Sequence, residues 1–338
     1  MIRKAVAIAL LIVLMEGPGL SHAKEGSNYR IKRLVSQLYD KSKAMDAQRR
    51  LSSYGKEVSE YLLSALHDKN NTSVRVAALN IITAVGDSSM EDEVVTMLKD
   101  NNPRVRQTAA RTLSVIGQEK SSVEPLKNLL GDYDPNVRYN AIKALAKLAP
   151  KDEMELFIRA LGDYDPRVRL FAVNALGKLK AASAVSYLSQ LVRDFDPGVR
   201  LELVRALANI DTKDCLQPLV WLMSDPDLGV RILAVEKIGQ LKADGANGPL
   251  VKAADNPDPR IASRAIIALG ERKSDKALEV ARAHLDAEHM TVKLASVEVI
   301  GRMGAGSEKA LLESLLDAES TRLREKAKEA LAKVNSRT

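Results

Sequence analysis

Apolar residues recur along this chain in a fixed register. Counting forward from Arg75, Arg106, Arg138, Arg169, Arg200 and Arg231, and from the weaker equivalents Ala262, Lys293 and Arg324, the seventh residue is Ile82, Leu113, Leu145, Leu176, Leu207, Ile238, Leu269, Ile300 and Leu331. The third is small (Ala78, Ala109, Ala141, Ala172, Ala234, Ala265, Ser296, Ala327) except at Leu203, and the fourth is apolar until Lys328. Offsets of three, four and seven lie on one helical face. Upstream, residues twelve, nine and eight before each origin give a second apolar face, as in Leu126, Leu129 and Leu130 or Leu188, Leu191 and Val192. The origins are 31 residues apart, with one step of 32 between Arg106 and Arg138. A helix pair repeated at this interval, helix A then helix B, predicts an all-α solenoid whose core lies between neighbouring pairs.

The starts of the B helices are written most fully in Asp163-Tyr164-Asp165-Pro166-Arg167-Val168-Arg169. The second Asp suits an N-cap and the proline suits the first helical position, where a missing N–H costs nothing. The first Asp belongs to the preceding turn. Pro125, Pro218 and Pro249, thirteen residues before their origins, are expected in the first turn of helix A. Before the regular copies, Ile31, Leu34, Val35 and Leu38 have helical spacing, and Asp40 is expected to cap a helix running to about Tyr54. Shifted by 31, Ala47, Leu51, Tyr54 and Gly55 align with Ala78, Ile82, Val85 and Gly86, which makes residues 24–58 a degenerate first repeat. About ten helix pairs over residues 28–335 result, wound as a right-handed superhelix and roughly 90–100 Å along its axis at about 9–10 Å per step. Lys328, where other copies are apolar, predicts a capped last repeat in the segment 59–338.

The origin arginine borders the apolar face of helix B and comes packaged with Asp residues. It is expected to form a structural ladder with turn carboxylates such as Asp132, Asp163 or Asp194, in preference to a row gripping phosphates. Positions two, five and nine after the origin vary. They carry Arg111, Lys143, Lys147, Lys178 and Arg205 in the middle copies and Glu236, Glu271 and Glu298 later. Along one edge of that face run Tyr139, Leu170, Phe171, Leu201, Ile232 and Leu233, the candidate groove for a protein partner, with Phe171 its expected anchor. Packing against the neighbouring repeat is the alternative for each of these apolar residues.

Composition changes this picture only locally. Of the net charge of +7, residues 24–58 hold +5, so no basic stripe runs along the solenoid. Arg3 and Lys4, an apolar run from Ala5 to Met15 and a polar stretch ending Ser21-His22-Ala23 predict a secretory signal peptide over residues 1–23, cleaved near Ala23, and a periplasmic or secreted protein. Eleven apolar residues are too few to span a bilayer as a helix, for which about 20 are needed. Cys215 stands alone, so no internal disulfide is possible, and the thiol is expected to be buried. His67 and His284 occupy helix A positions in distant repeats and are expected to be buried and hydrogen-bonded. His284 and His289 are five apart, wrong for one helical face. Nothing here has the spacing of a catalytic, cofactor or metal site, so none is expected.

The recurring D-x-D-P-x-V-R turn followed by Ala and Leu, often with Gly86, Gly117, Gly177 or Gly239, resembles the HEAT-like repeats of phycobilisome lyases and many bacterial scaffold proteins. The resemblance covers nearly the whole chain after residue 23. It implies a non-enzymatic protein-binding scaffold that uses the B-helix face, which in HEAT proteins usually lines the inner curve. Bilin lyases imply an enzymatic or chaperone-like alternative, although they act inside the cell. Deoxyhypusine hydroxylase, also similar, binds iron through His-Glu pairs, and no His-Glu dipeptide occurs here. Binding of an acidic polymer by the basic segment 24–58 is a further alternative; nucleic acid is not expected.

Overall fold

A computed structural model describes residues 18–148 and 153–337, with side chains from residue 27; the apolar run 5–15 of the expected signal peptide lies outside the described residues. The chain groups into two compact units, Met1–Pro150 and Lys151–Thr338. Among the described residues all regular structure is α- or 3₁₀-helix.

In the first unit the B helices are Ala44–Ser52, Thr72–Val85, Pro103–Ile116 and Pro135–Leu148, preceded by A helices Pro18–Gln37, Ser59–Leu66, Glu91–Thr96 and Glu119–Asn128. The second unit holds six pairs, with B helices Pro166–Lys178, Pro197–Ile210, Leu228–Gln240, Pro259–Glu271, Met290–Met303 and Thr321–Asn335. The B helices begin where the turn chemistry places them. Asp165, Asp196, Asp227 and Asp258 are N-caps whose side chains accept main-chain N–H groups of the first turn. Several A helices end in a 3₁₀ turn, as at Met97–Lys99, Leu129–Gly131 and Ser189–Arg193. The tighter winding aims the chain into the capping turn.

The repeating apolar positions are the core. Every residue at the third position, from Ala78 to Ala327, is fully buried, and so are the fourth-position residues from Leu79 to Val297. The seventh-position Ile and Leu residues are also fully buried, except Leu331 in the last B helix, which is half-exposed. Burial of each such Ile or Leu side chain contributes about 1.5–3 kcal/mol. Lys328 is exposed and pairs with Glu325 at 3.1 Å, so the last B helix presents a polar face where its predecessors present aliphatic residues.

Two kinds of glycine are present. Gly86 caps its helix at φ +69°, the left-handed conformation that favours glycine, whereas Gly177 and Gly239 lie inside B helices. A Cβ at Gly177 would sit 2.7 Å from Cα and Cβ of Ala206 in the next B helix, and one at Gly239 would sit 2.6 Å from Cβ of Ala268. These glycines let consecutive B helices touch backbone to backbone.

Three local expectations are corrected. Asp40 does not cap the first B helix: its carboxylate accepts from the N–H and hydroxyl of Ser42 in a turn, and the helix runs from Ala44 only to Ser52 with Lys43 at its N-cap. Pro125 lies inside helix Glu119–Asn128 and not in its first turn. The extra turn is held by Glu91 of the preceding repeat, whose buried carboxylate accepts from the Gln118 N–H and from the hydroxyls of Ser121 and Ser122. His67 is exposed. Its Nδ1 lies 3.0 Å from the Leu63 carbonyl at the end of its helix, and its Nε2 lies 3.1 Å from Glu93. His284, mostly buried, makes the equivalent contact with Val280. Cys215 is buried at a helix start, as expected, with Sγ 3.3 Å from Thr212 Oγ1.

Candidate protein-interaction surface

The side chains withdrawn from any surface role are the origin arginines. Arg200 donates from Nε and Nη2 to both carboxylate oxygens of Asp225 (2.7 and 2.8 Å) and from Nη1 to the Asp194 carbonyl (2.6 Å). Arg169 does the same with Asp194 and the Asp163 carbonyl, and Arg106 with Asp132 and the Asp100 carbonyl. Arg75 is ion-paired with Asp100 at 2.9 Å. Each guanidinium thus straps the turn of its own repeat to the first Asp of the next. That Asp also accepts the main-chain N–H two residues on, as Asp225 does from Asp227 at 2.8 Å. The bidentate bond to Asp225 outweighs burial and raises the Arg200 pKa, and Asp194 does the same for Arg169. The ladder has no carboxylate to take at Asn256, where the preceding arginine is Arg231.

The sequence matches the family of HEAT repeats over residues 59–132, 123–194, 185–247 and 247–332. This chain belongs to the HEAT-repeat family. Among solved structures it is similar to Kap121p, at 16% identity and a TM-score of 0.66, covering 98% of this chain and 45% of Kap121p. It is also similar to the karyopherin Kap121p bound to the extreme C-terminus of the protein phosphatase Cdc14p, at 15% identity and a TM-score of 0.67, covering 90% of this chain and 42% of that one. With Kap121p bound to Ste12p the values are 15% and 0.67, with coverage of 90% and 41%. The chain spans less than half the length of Kap121p, and likeness at this identity shows the fold. No curated protein matches.

On this HEAT repeat the sequence-selected residues all fall on B helices. In the first unit, Arg111 lies on Pro103–Ile116, and Tyr139, Lys143 and Lys147 lie on Pro135–Leu148. The three cations are exposed and Tyr139 is half-buried, with Lys143 Nζ 5.9 Å above its ring. Arg111 reaches back to Asn80 Oδ1 and Lys147 to the Ser114 carbonyl at 3.2 Å, both on the preceding B helix; none of the three cations is paired with a carboxylate among the described residues. Val115, on the same face, is 53% exposed.

In the second unit Leu170, Phe171, Leu201, Ile232 and Leu233 are half-buried, in part against neighbouring helices and in part open to solvent. Lys178 and Arg205 are exposed, and Arg205 pairs with Glu202 at 3.1 Å. The acidic tendency read for the later repeats is offset by cations on neighbouring helices and, for Glu298 and Arg302, within one helix. Glu236 lies 4.0 Å from Arg264, Glu271 3.8 Å from Arg302, and Glu298 3.1 Å from Arg302 and 3.3 Å from Lys326. A cleft of about 580 Å³ lined by Ile267, Leu294, Glu298 and Lys326 is therefore bordered by paired charges.

Sequence reasoning passed over the turns. Tyr133, Tyr164 and Phe195, each five residues before an origin, are 74%, 97% and 98% exposed. Trp221, at the end of an A helix, is 53% exposed. The signal was available: a chain with 4% aromatic residues repeats one at the same turn position three times. Among the described residues no group of three or more His, Cys, Asp or Glu side chains could hold a metal ion.

Proposed function

We propose that this HEAT-repeat protein is a non-enzymatic exported scaffold that binds a protein partner on its B-helix face. The observation that supports this reading is the division of labour within helix B. The repeated positions are consumed by packing and by the arginine ladder, while the variable positions of the first unit leave Arg111, Lys143 and Lys147 exposed beside Tyr139 and Val115, with no carboxylate partner among the described residues. That combination suits an acidic segment with apolar anchors.

Export rests on the N-terminal pattern. Helix Pro18–Gln37 packs through Ile31, Leu34 and Val35, with Leu38 buried just past its end, so cleavage after Ala23 would leave these four residues in place. The test is crosslinking capture from the exported fraction, comparing the parent chain with the triple variant Arg111→Glu/Lys143→Glu/Lys147→Glu. The expected result is a mature chain beginning at Lys24 and a partner recovered by the parent, lost by the variant and weakened by salt. Equal recovery by both proteins would overturn the assigned surface, and a chain still beginning at Met1 would overturn export.

A further inference from the structure

The arginine ladder is interrupted at Ala262. In other repeats Nη1 of the origin arginine donates to the carbonyls six and five residues before it. Arg200 reaches those of Asp194 and Phe195 at 2.6 and 3.5 Å, and Arg231 those of Asp225 and Pro226 at 2.7 and 3.0 Å. Arg324 holds the Ala318 and Glu319 carbonyls at 2.6 and 2.9 Å. Arg231 and Arg324 do this with no carboxylate on the guanidinium among the described residues, so the carbonyl pair by itself takes this group. At Ala262 the same pair, the carbonyls of Asn256 and Pro257, accepts from no donor among the described residues. At the next origin Lys293 keeps a cation.

Space accompanies the missing side chain. A cleft of about 450 Å³ borders Asn256, Pro257, Ala262, His284, Ala287 and Glu288 among others. It is the counterpart, three repeats on, of a cleft of about 600 Å³ that includes Arg169 and Asp194. Ala262 and Ala287 stand where those two residues do, so both halves of the rung are reduced to methyl groups. The lining of this cleft holds two carboxylates, Asp255 and Glu288, and neither lysine nor arginine. Asp255 is largely exposed, 3.3 Å from His284 Nε2. Glu288 is exposed and pairs with no cation among the described residues. The fold therefore names its own occupant, since a guanidinium is what this position holds in the other repeats, and the local charge favours one. We propose that this cleft is a second binding site, apart from the B-helix face, for an arginine side chain of a partner polypeptide. Entering between the exposed Pro257 and Glu288, its guanidinium donates to the Asn256 and Pro257 carbonyls and takes Glu288 as counter-ion.

Two of the chain's four histidines, His284 and His289, line the cleft, so their ring resonances report on it directly. The full-length protein is titrated with a blocked glycine–arginine–glycine tripeptide and with its lysine and citrulline counterparts, citrulline being the neutral analogue. The arginine peptide should shift the signals of His284 and His289 and leave that of His67 in place. The lysine peptide should bind about tenfold more weakly, because a point charge replaces a planar fork, and the citrulline peptide more weakly still. Glu288→Gln should weaken the arginine peptide about two- to fivefold. Ala262→Arg/Ala287→Asp rebuilds the rung from within and should abolish binding, and Ala262→Met should block it with a neutral side chain. Both variants should melt at or above the parent temperature, since the new side chain enters space that arginine takes in other repeats. A lower Tm for both would show that space already filled and would overturn the proposal. The Arg111, Lys143 and Lys147 charge-reversal variant should bind the arginine peptide normally, which separates this site from the B-helix face. Equal binding of the citrulline peptide, undiminished binding by the filled variants, or tighter binding of free arginine than of the peptide would each overturn the assignment.

Discussion

Replacing Arg200 by Met tests whether the arginine ladder holds the stack together. The Arg200 and Asp225 side chains are 9% and 2% exposed, and the pair is bidentate. Methionine fills much of the same volume and leaves the Asp225 carboxylate buried with the Asp227 N–H as its remaining hydrogen-bond donor. Removing one partner of a buried pair costs about 3–5 kcal/mol, because the surviving charge is neither solvated nor matched. For a cooperative unit of this size that is a fall in Tm of roughly 6–20 °C. Asp225→Asn, which keeps the turn but not the charge, should cost less. The double variant Arg200→Met/Asp225→Asn should be less destabilised than the sum of the two, since no buried charge is stranded. Thermal unfolding gives the magnitude and hydrogen exchange the place: protection should fall first in Pro197–Ile210 and Leu228–Gln240. Lys276→Met, at the exposed pair with Glu279, is the control and should not move the melt. If Arg200→Met melts with that control, the ladder is decoration and packing alone holds the repeats.

Gly177→Val places a branched side chain where even a Cβ would meet Ala206 at 2.7 Å, and should cost about 1–3 kcal/mol or more, read by urea unfolding. Arg272 donates to the carbonyls of Ile238, Leu241 and Ala243 at the end of the preceding B helix, so Arg272→Met should cost about 1–2 kcal/mol and fray Leu228–Gln240 in hydrogen exchange. Acid should loosen the first unit. Burial raises the pKa values of Glu91 and Asp132, but bonds from Ser121, Ser122 and Gln118 to the one, and from Arg106 to the other, outweigh it and leave both below their ordinary values. Below the unfolded-state pKa the unfolded chain then binds more protons, so this stabilisation is complete above about pH 5 and is lost as pH falls through the folded values. Glu91→Gln should flatten its share of that dependence in a series of melts.

Features that rest on bonds within a few residues were legible along the chain alone. The Asp–Pro cap, the A and B helices and the three-four-seven apolar face are local, so their period gave the fold class and the core positions from Ala78 to Ala327. Local signals failed where a distant group intervened. Pro125 was misplaced because Glu91, 27 residues before Gln118, extends that helix by capping it. Tertiary structure decided which carboxylate each arginine takes. Asp225 lies 25 residues beyond Arg200, and only stacking makes them neighbours. It also gave Gly177 and Gly86 opposite roles, one a contact between helices and the other a left-handed cap, although glycine reads the same at both. The candidate surface was legible as a set of variable positions, but its charge was not. Glu236, Glu271 and Glu298 read as an acidic face until Arg264, Arg302 and Lys326 come within reach across helices. Arg111 and Lys147 instead reach a neutral amide and a carbonyl on the preceding B helix, and among the described residues neither they nor Lys143 pair with a carboxylate. Exposure of Phe195 and Trp221 was likewise a tertiary outcome: an aromatic residue in a repeat is buried or presented according to what the next repeat sets against it, and that follows from stacking, not from spacing.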